Sequence, residues 1–223
     1  ETIVTKAKLV DVHAQDHSKI WSISGTGSLV FGRNNQQGKT FAGTIGAAWS
    51  SNIIHDESET AAIIANANLT QLHDPSTVEV HASSTSDIQA ITGSIGLLIS
   101  DSSNVNLNIA GAIAINRIGG DITSVVNNSE IKATELSIES ESSSMIQSRV
   151  LTVQLTFSDV KGQHNNGSLT VGLGVTRNEI TTYTSSEVEN SDLWISDSLE
   201  ISASSASEIT SHADNAAVQI SNK

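Results

Sequence analysis

The side chains of this chain that could do chemistry are 24 carboxylates, seven histidines and 11 lysines and arginines, with no cysteine. Lack of thiols removes disulfides, CxxC metal sites and thiol nucleophiles. His13 and His81 stand in matching contexts, "VDVHA" and "VEVHA", as the first members of a histidine metal ladder would. Two further copies of the pattern put Glu139 and Ser202 in that place, a drift that a metal column does not tolerate. The densest acidic run is "HDESE", with Asp56, Glu57 and Glu59. Hard carboxylate oxygens suit calcium, so these three are the candidate metal ligands, set against the plainer reading of a solvated turn. The glycine-rich nonapeptide of calcium-binding β-rolls is missing.

Glu139 with Glu141, and Glu187 with Glu189, are spaced to share one face of a strand. Cleavage of a glycosidic bond would need such a pair in a groove beside a cation, whereas Arg33, Arg117, Arg149 and Arg177 are scattered along the chain. No GxSxG, HExxH or phosphate-cradling glycine loop occurs. The expectation is therefore a protein that is not an enzyme and needs no cofactor, calcium being the one ion to consider.

The elements that must position these residues form a repeat. "VDVHAQDHSKIWS" from Val10, "VEVHASSTSDIQA" from Val78, "LSIESESSSMIQS" from Leu136 and "LEISASSASEITS" from Leu199 share an alternating apolar pattern. Its two anchors are always 10 residues apart, ending at Ile20, Ile88, Ile146 and Ile209. A second anchor holds Asn52, Asn116 and Asn178, and a third holds Asn66, Asn128 and Asn190. Gaps between anchors vary: 32, 28 and 32 residues from isoleucine to the first asparagine column, then 12, 10 and 10 to the third anchor, then 14, 10 and 11 to the next copy. Constant segments with insertions between them read as strands in a common core joined by surface turns. Pro75, the only proline, falls in the longest insertion, where a residue without an N–H belongs.

Alternation places Val10, Val12 and Ala14 inward with Asp11 and His13 outward, and likewise Val78, Val80 and Ala82 against Glu79 and His81. Since a solenoid coil commonly needs only about two dozen residues, each repeat of 58 to 68 residues is expected to hold two to three coils. Members of the outward column Asp11, Glu79, Ser137 and Glu200 would then lie roughly 10–14 Å apart. The fold expected is an all-β parallel β-solenoid forming one segment over 1–223. Its repeats run about 23–90, 91–148 and 149–211, with partial copies at 1–22 and 212–223. The two asparagine sets are expected to be structural, as turn residues or stacked ladders. Trp49, in the column of Ile113 and Val175, reads as core; Trp21 and Trp194 read as outward and could contact a sugar or a partner.

The formal charge of −13 disfavours nucleic acid and anionic lipid. No apolar run approaches the roughly 18 residues of a spanning helix, so no membrane insertion is expected. The chain begins and ends inside a repeat, as expected of a window from a longer array or a subunit whose ends meet other copies.

The stretches "GAIAINRI", "VVNNSEIKATELSIESESSSMI" and "GLGVTRNEITTYTSSEVENSDLWISDSLEISASSASEI" resemble repeats of large secreted bacterial filamentous adhesins of the filamentous-haemagglutinin and leukotoxin-like type. That resemblance implies a right-handed β-helix stalk, extracellular or on the cell surface. Its implied roles are attachment, coating or matrix assembly, with end-to-end partners and a glycan or host surface as target. Two alternatives are a carbohydrate-binding or carbohydrate-cleaving β-helix and a calcium-dependent surface-layer component.

Overall fold

The computed structural model describes residues 2–33, 41–54, 58–101, 105–159 and 167–222. Ten strands and no helix occur among them: β1 (Thr2–Thr5), β2 (Leu9–Arg33), β3 (Phe41–Ile54), β4 (Glu59–Ala65), β5 (Ala67–Gln71), β6 (Thr77–Asp101), β7 (Val105–Asn127), β8 (Glu130–Asp159), β9 (Gly167–Glu189) and β10 (Asp192–Asn222). All pairings are parallel, so the fold is a parallel β-solenoid. One sheet stacks β2, β6, β8 and β10 in that order; the other stacks β3 and β4 on β7, and β7 on β9.

The register shows how much chain one turn uses. Val10 lies opposite Val78, Val78 opposite Leu136, and Leu136 opposite Leu199. Each sequence repeat is therefore one coil, which corrects the expected two or three. The reason is the length of the faces: strands of 23 to 31 residues run out along one sheet and back along the other, flattening the coil into a ribbon. Equivalent residues of successive repeats are adjacent strand neighbours, about 4.8 Å apart, and the 10–14 Å separation falls with the coil count.

The insertions lie where the anchors required. Between the pairs Arg33↔Asp101 and Phe41↔Val105 the first coil carries four more residues than the second. Between Ile54↔Ile118 and Glu59↔Asp121 it carries two more, and between Leu69↔Ile131 and Thr77↔Glu135 four more. Pro75 stands in that last insertion, outside any strand.

The three faces of the coil near Asn128 bury an apolar cluster that includes Ile64, Leu69, Val78, Ile131, Leu136 and Ile138. Ile and Val suit this place because β-branched side chains pack well on a pleated surface. Burying each contributes about 1.5–3 kcal/mol. Ile88, Ile118 and Ile146 form the next cluster, then Ala48, Ala112, Ala114 and Val150. Farther from the Asn128 corner the interior becomes polar and narrow, with Ser94, Asn108, Thr152 and Gln154 buried between the sheets. Gly96 is needed there: a Cβ would sit 2.5 Å from Asn108 Oδ1.

Candidate functional site

The recurring asparagines occupy two different structural places. Asn52, Asn116 and Asn178 are direct neighbours inside the ribbon. Asn52 Nδ2 donates to Asn116 Oδ1 at 2.7 Å, and Asn116 Nδ2 to Asn178 Oδ1 at 2.7 Å. Asn178 Nδ2 in turn donates to Thr176 Oγ1 at 2.9 Å. An amide carries both donors and an acceptor, so identical amides at one-strand spacing can satisfy one another. That makes a column of asparagine tolerable in a position with no access to water.

Asn66, Asn128 and Asn190 instead turn the corner. Their φ values are 52°, 47° and 47°, in the left-handed region that asparagine tolerates better than other residues with a Cβ. The turn is tied between coils, Asn66 N donating to Asn127 O and Asn128 N to Glu189 O, both at 3.0 Å. Asn128 Nδ2 adds a bond to Asn66 Oδ1 at 2.6 Å. Ser129 and Ser191 follow in register. Ser129 Oγ accepts from Ala67 N at 3.1 Å, and Ser191 Oγ from Ser129 N at 3.0 Å. The shallow recess over this corner is lined by Asn68, Glu130 and Asp192 besides the three asparagines, and Asn68 Nδ2 already donates to Glu130 Oε2 at 3.0 Å.

Among the metal candidates, Asp56 and Glu57 lie outside the described residues. Glu59 is exposed at the start of β4, opposite Asp121. The rings of His13 and His81 stack with centroids 5.0 Å apart and planes 13° apart. His81 Nδ1 lies 3.7 Å from Glu139 Oε2, so one outward column reads histidine, histidine, glutamate. Among the described residues no three or more His, Asp or Glu side chains are grouped to hold an ion.

Trp21 is 68% exposed and Trp194 is 51% exposed. Trp49 does share the column of Ile113 and Val175, but that column faces out: Trp49 is 65% exposed. The expectation of a core Trp49 is corrected by parity. Asn52 is inward and three residues away, so Trp49 must point to the opposite side of the strand.

Trp194 is not isolated. It pairs in register with Lys132, and the two line a recess with Thr70, Asp74, Ser76 and Thr134. Asp74 Oδ1 accepts from Thr134 Oγ1 at 3.1 Å, which fixes the carboxylate on the rim of this recess. Lys132 and Asp74 were not singled out from the sequence. Placing Lys132 and Trp194 at the same offset after the third-anchor asparagines would have exposed the pair.

Among the described residues the arrangement offers stacking amides, a charged rim and an aromatic recess. Comparison with protein-family models, with curated proteins and with solved structures finds no match to this chain.

Proposed function

We propose that this chain is a structural segment of an extracellular or surface-displayed filament, a stalk or fibre subunit whose task is extension and assembly rather than catalysis. The observation carrying this reading is the contrast along two core columns. Leu136 is 1% exposed and Ile146 fully buried, while their register partners on β10, Leu199 and Ile209, are 51% and 48% exposed. A rung whose inward side chains lack a cover is completed by stacking another rung on it, either from continuing chain or from a second copy. The 10-residue motif common to every coil makes each rung an acceptable neighbour for the next along that stretch.

Negative-stain electron microscopy over a concentration series tests it. Rods or fibres that lengthen with concentration support end stacking, and particles that keep the size of one chain at every concentration would sink it.

The recess of Asp74, Lys132 and Trp194 supports a second reading, a glycan-binding surface on the same segment. An aromatic face with one carboxylate and one ammonium beside it matches the stacking and hydrogen-bonding needs of a sugar ring. Trp194→Ala should then abolish retention on a glycan array; retention unchanged from the parent chain removes this reading.

A further inference from the structure

The two halves of the ribbon have opposite polarity. Near the Asn128 corner the interior is apolar and the outside polar, with Asp11, His13, Glu79 and Glu139 facing out. Beyond the Asn116 ladder the pattern inverts. Inside stand Thr92, Ser94, Asn106, Asn108, Thr152 and Gln154, all buried, interleaved with the buried Leu98, Ala110, Ala112 and Val150. Outside, the register lines up Leu29, Leu97, Leu155 and Val218 in one column and Phe31, Ile99, Phe157 and Ile220 in the next.

The other sheet does the same on the opposite side of the ribbon. Its outward residues from Phe41 to Trp49, from Val105 to Ile113 and from Leu169 to Val175 are all apolar or glycine. Ile45 is 74% exposed and Leu173 60% exposed. From strand rise and spacing, the four-stranded face presents on the order of 600 Å² in outline and the three-stranded face on the order of 400 Å². The larger is already at the limit for a soluble monomer, and this ribbon carries the second back to back with it at the same height.

We propose that this inverted half is a lipid-facing band that seats in the hydrocarbon core of a bilayer, with the charged half held in water outside it. Four observations select lipid over a second copy. One partner chain covers one face and a copy on each side is needed to cover both, whereas hydrocarbon covers both at once. From Trp21 to Phe31 the band is about 33 Å tall and from Phe41 to Trp49 about 26 Å, against about 30 Å of bilayer hydrocarbon. Aromatics mark its two margins, Trp21 and Trp49 on the corner side and Phe31, Phe41 and Phe157 on the far side, as in the girdles of membrane strands. The charged side chains within the outward band, Arg149 and Asp214, neutralise each other as a pair at 3.0 Å, in register with Ile23 and Gly25 and so about 7 and 13 Å from the Trp21 margin.

No helix of the described chain is long and apolar enough to cross a membrane; these are strands of alternating polarity, for which the absence of a long apolar run means nothing. The inference departs from the expectation of no insertion for that reason. It rests on the stacking reading above, because strand edges cannot be left unpaired in hydrocarbon, so neighbouring rungs must close β2, β3, β9 and β10.

The test is flotation with zwitterionic phosphatidylcholine vesicles, chosen because the chain carries a charge of −13, with microscopy of the lipid-free sample run alongside. The parent chain should float. Ile95→Glu combined with Leu173→Glu, both on the outward band, should lower the floated fraction about tenfold or more, while Thr85→Glu on the charged half leaves it unchanged. Bromine-labelled acyl chains should quench a variant keeping Trp49 alone and spare one keeping Trp194 alone. A parent chain that assembles into rods yet stays at the bottom of the gradient overturns the lipid inference and leaves the stacking reading standing. Lipid-free sheets of ribbons that the double glutamate variant disperses, with no flotation, overturn it in favour of a second copy. Flotation by single, unstacked chains would count against both.

Discussion

Asn52 donates its side-chain amide to the side-chain carbonyl of Asn116 at 2.7 Å although 64 residues separate them. Asn116 passes the same bond on to Asn178, so the middle member holds two bonds and is itself fully buried. Asn116→Ala removes both and leaves a donor and an acceptor unpaired. The expected cost is about 2–4 kcal/mol, read as a shift in the urea midpoint. A loss as small as that of an exposed Asn→Ala change would show that the ladder contributes no stability.

The corner asparagines should respond to backbone conformation before side-chain chemistry. With φ at 47°, Asn128→Gly keeps the left-handed turn and should change stability by less than about 0.5 kcal/mol. Asn128→Val forces a β-branched residue into that region and should cost more than about 1 kcal/mol. Equal melting temperatures for the two variants would contradict the turn assignment.

One column separates inner from outer rungs. Ile146→Ala empties a fully buried site and should cost about 2–5 kcal/mol. Ile209→Ala, the same column one rung later and 48% exposed, should cost less than about 1 kcal/mol in dilute monomer. If rungs stack in fibres, the two penalties converge in the assembled sample, which denaturation at two concentrations would reveal.

Glycines should divide by the space above them. Gly96→Ala drives a methyl onto the Asn108 side chain and should destabilise by about 1–3 kcal/mol. Gly27→Ala meets nothing within 4 Å and should be neutral or slightly stabilising, since alanine loses less backbone entropy than glycine in a strand. Thermal melts of the two single variants decide it; a loss at Gly27 matching that at Gly96 would show that backbone freedom, and not space, is responsible.

Strand phase and insertion sites were legible in the sequence wherever the inward side chains are large and apolar. Val78, Val80 and Ile88 alternate with Glu79, His81 and Asp87, and burial follows that alternation. The number of coils per repeat was not legible, because recurrence fixes only the period, and a period of about 60 residues is satisfied by several small turns or by one flat one. The facing of Trp49 was misread for a related reason. An apolar column normally marks the core, and in the half beyond Asn116 the interior takes up Ser94, Asn106, Asn108, Thr152 and Gln154 beside small alanines and Leu98, which leaves the large apolar residues on the outward side of the strands. The signal was present in the opposite parity of Asn52, a residue placed in a turn or a ladder without its direction being decided. The Asp74, Lys132 and Trp194 recess escaped because its members come from different coils.

The long faces also set how such a ribbon would behave under load. Each turn adds about 4.8 Å of height but contains roughly 60 residues, about 200 Å of chain when drawn out straight. A stalk made this way is short for its mass and long in reserve. Under tension, peeling a single turn from either end lengthens the tether some fortyfold relative to the height surrendered, while the turns behind it keep their partners. Drag on an anchored particle would then be absorbed as a sawtooth of discrete yields, each followed by recapture once the pull slackens.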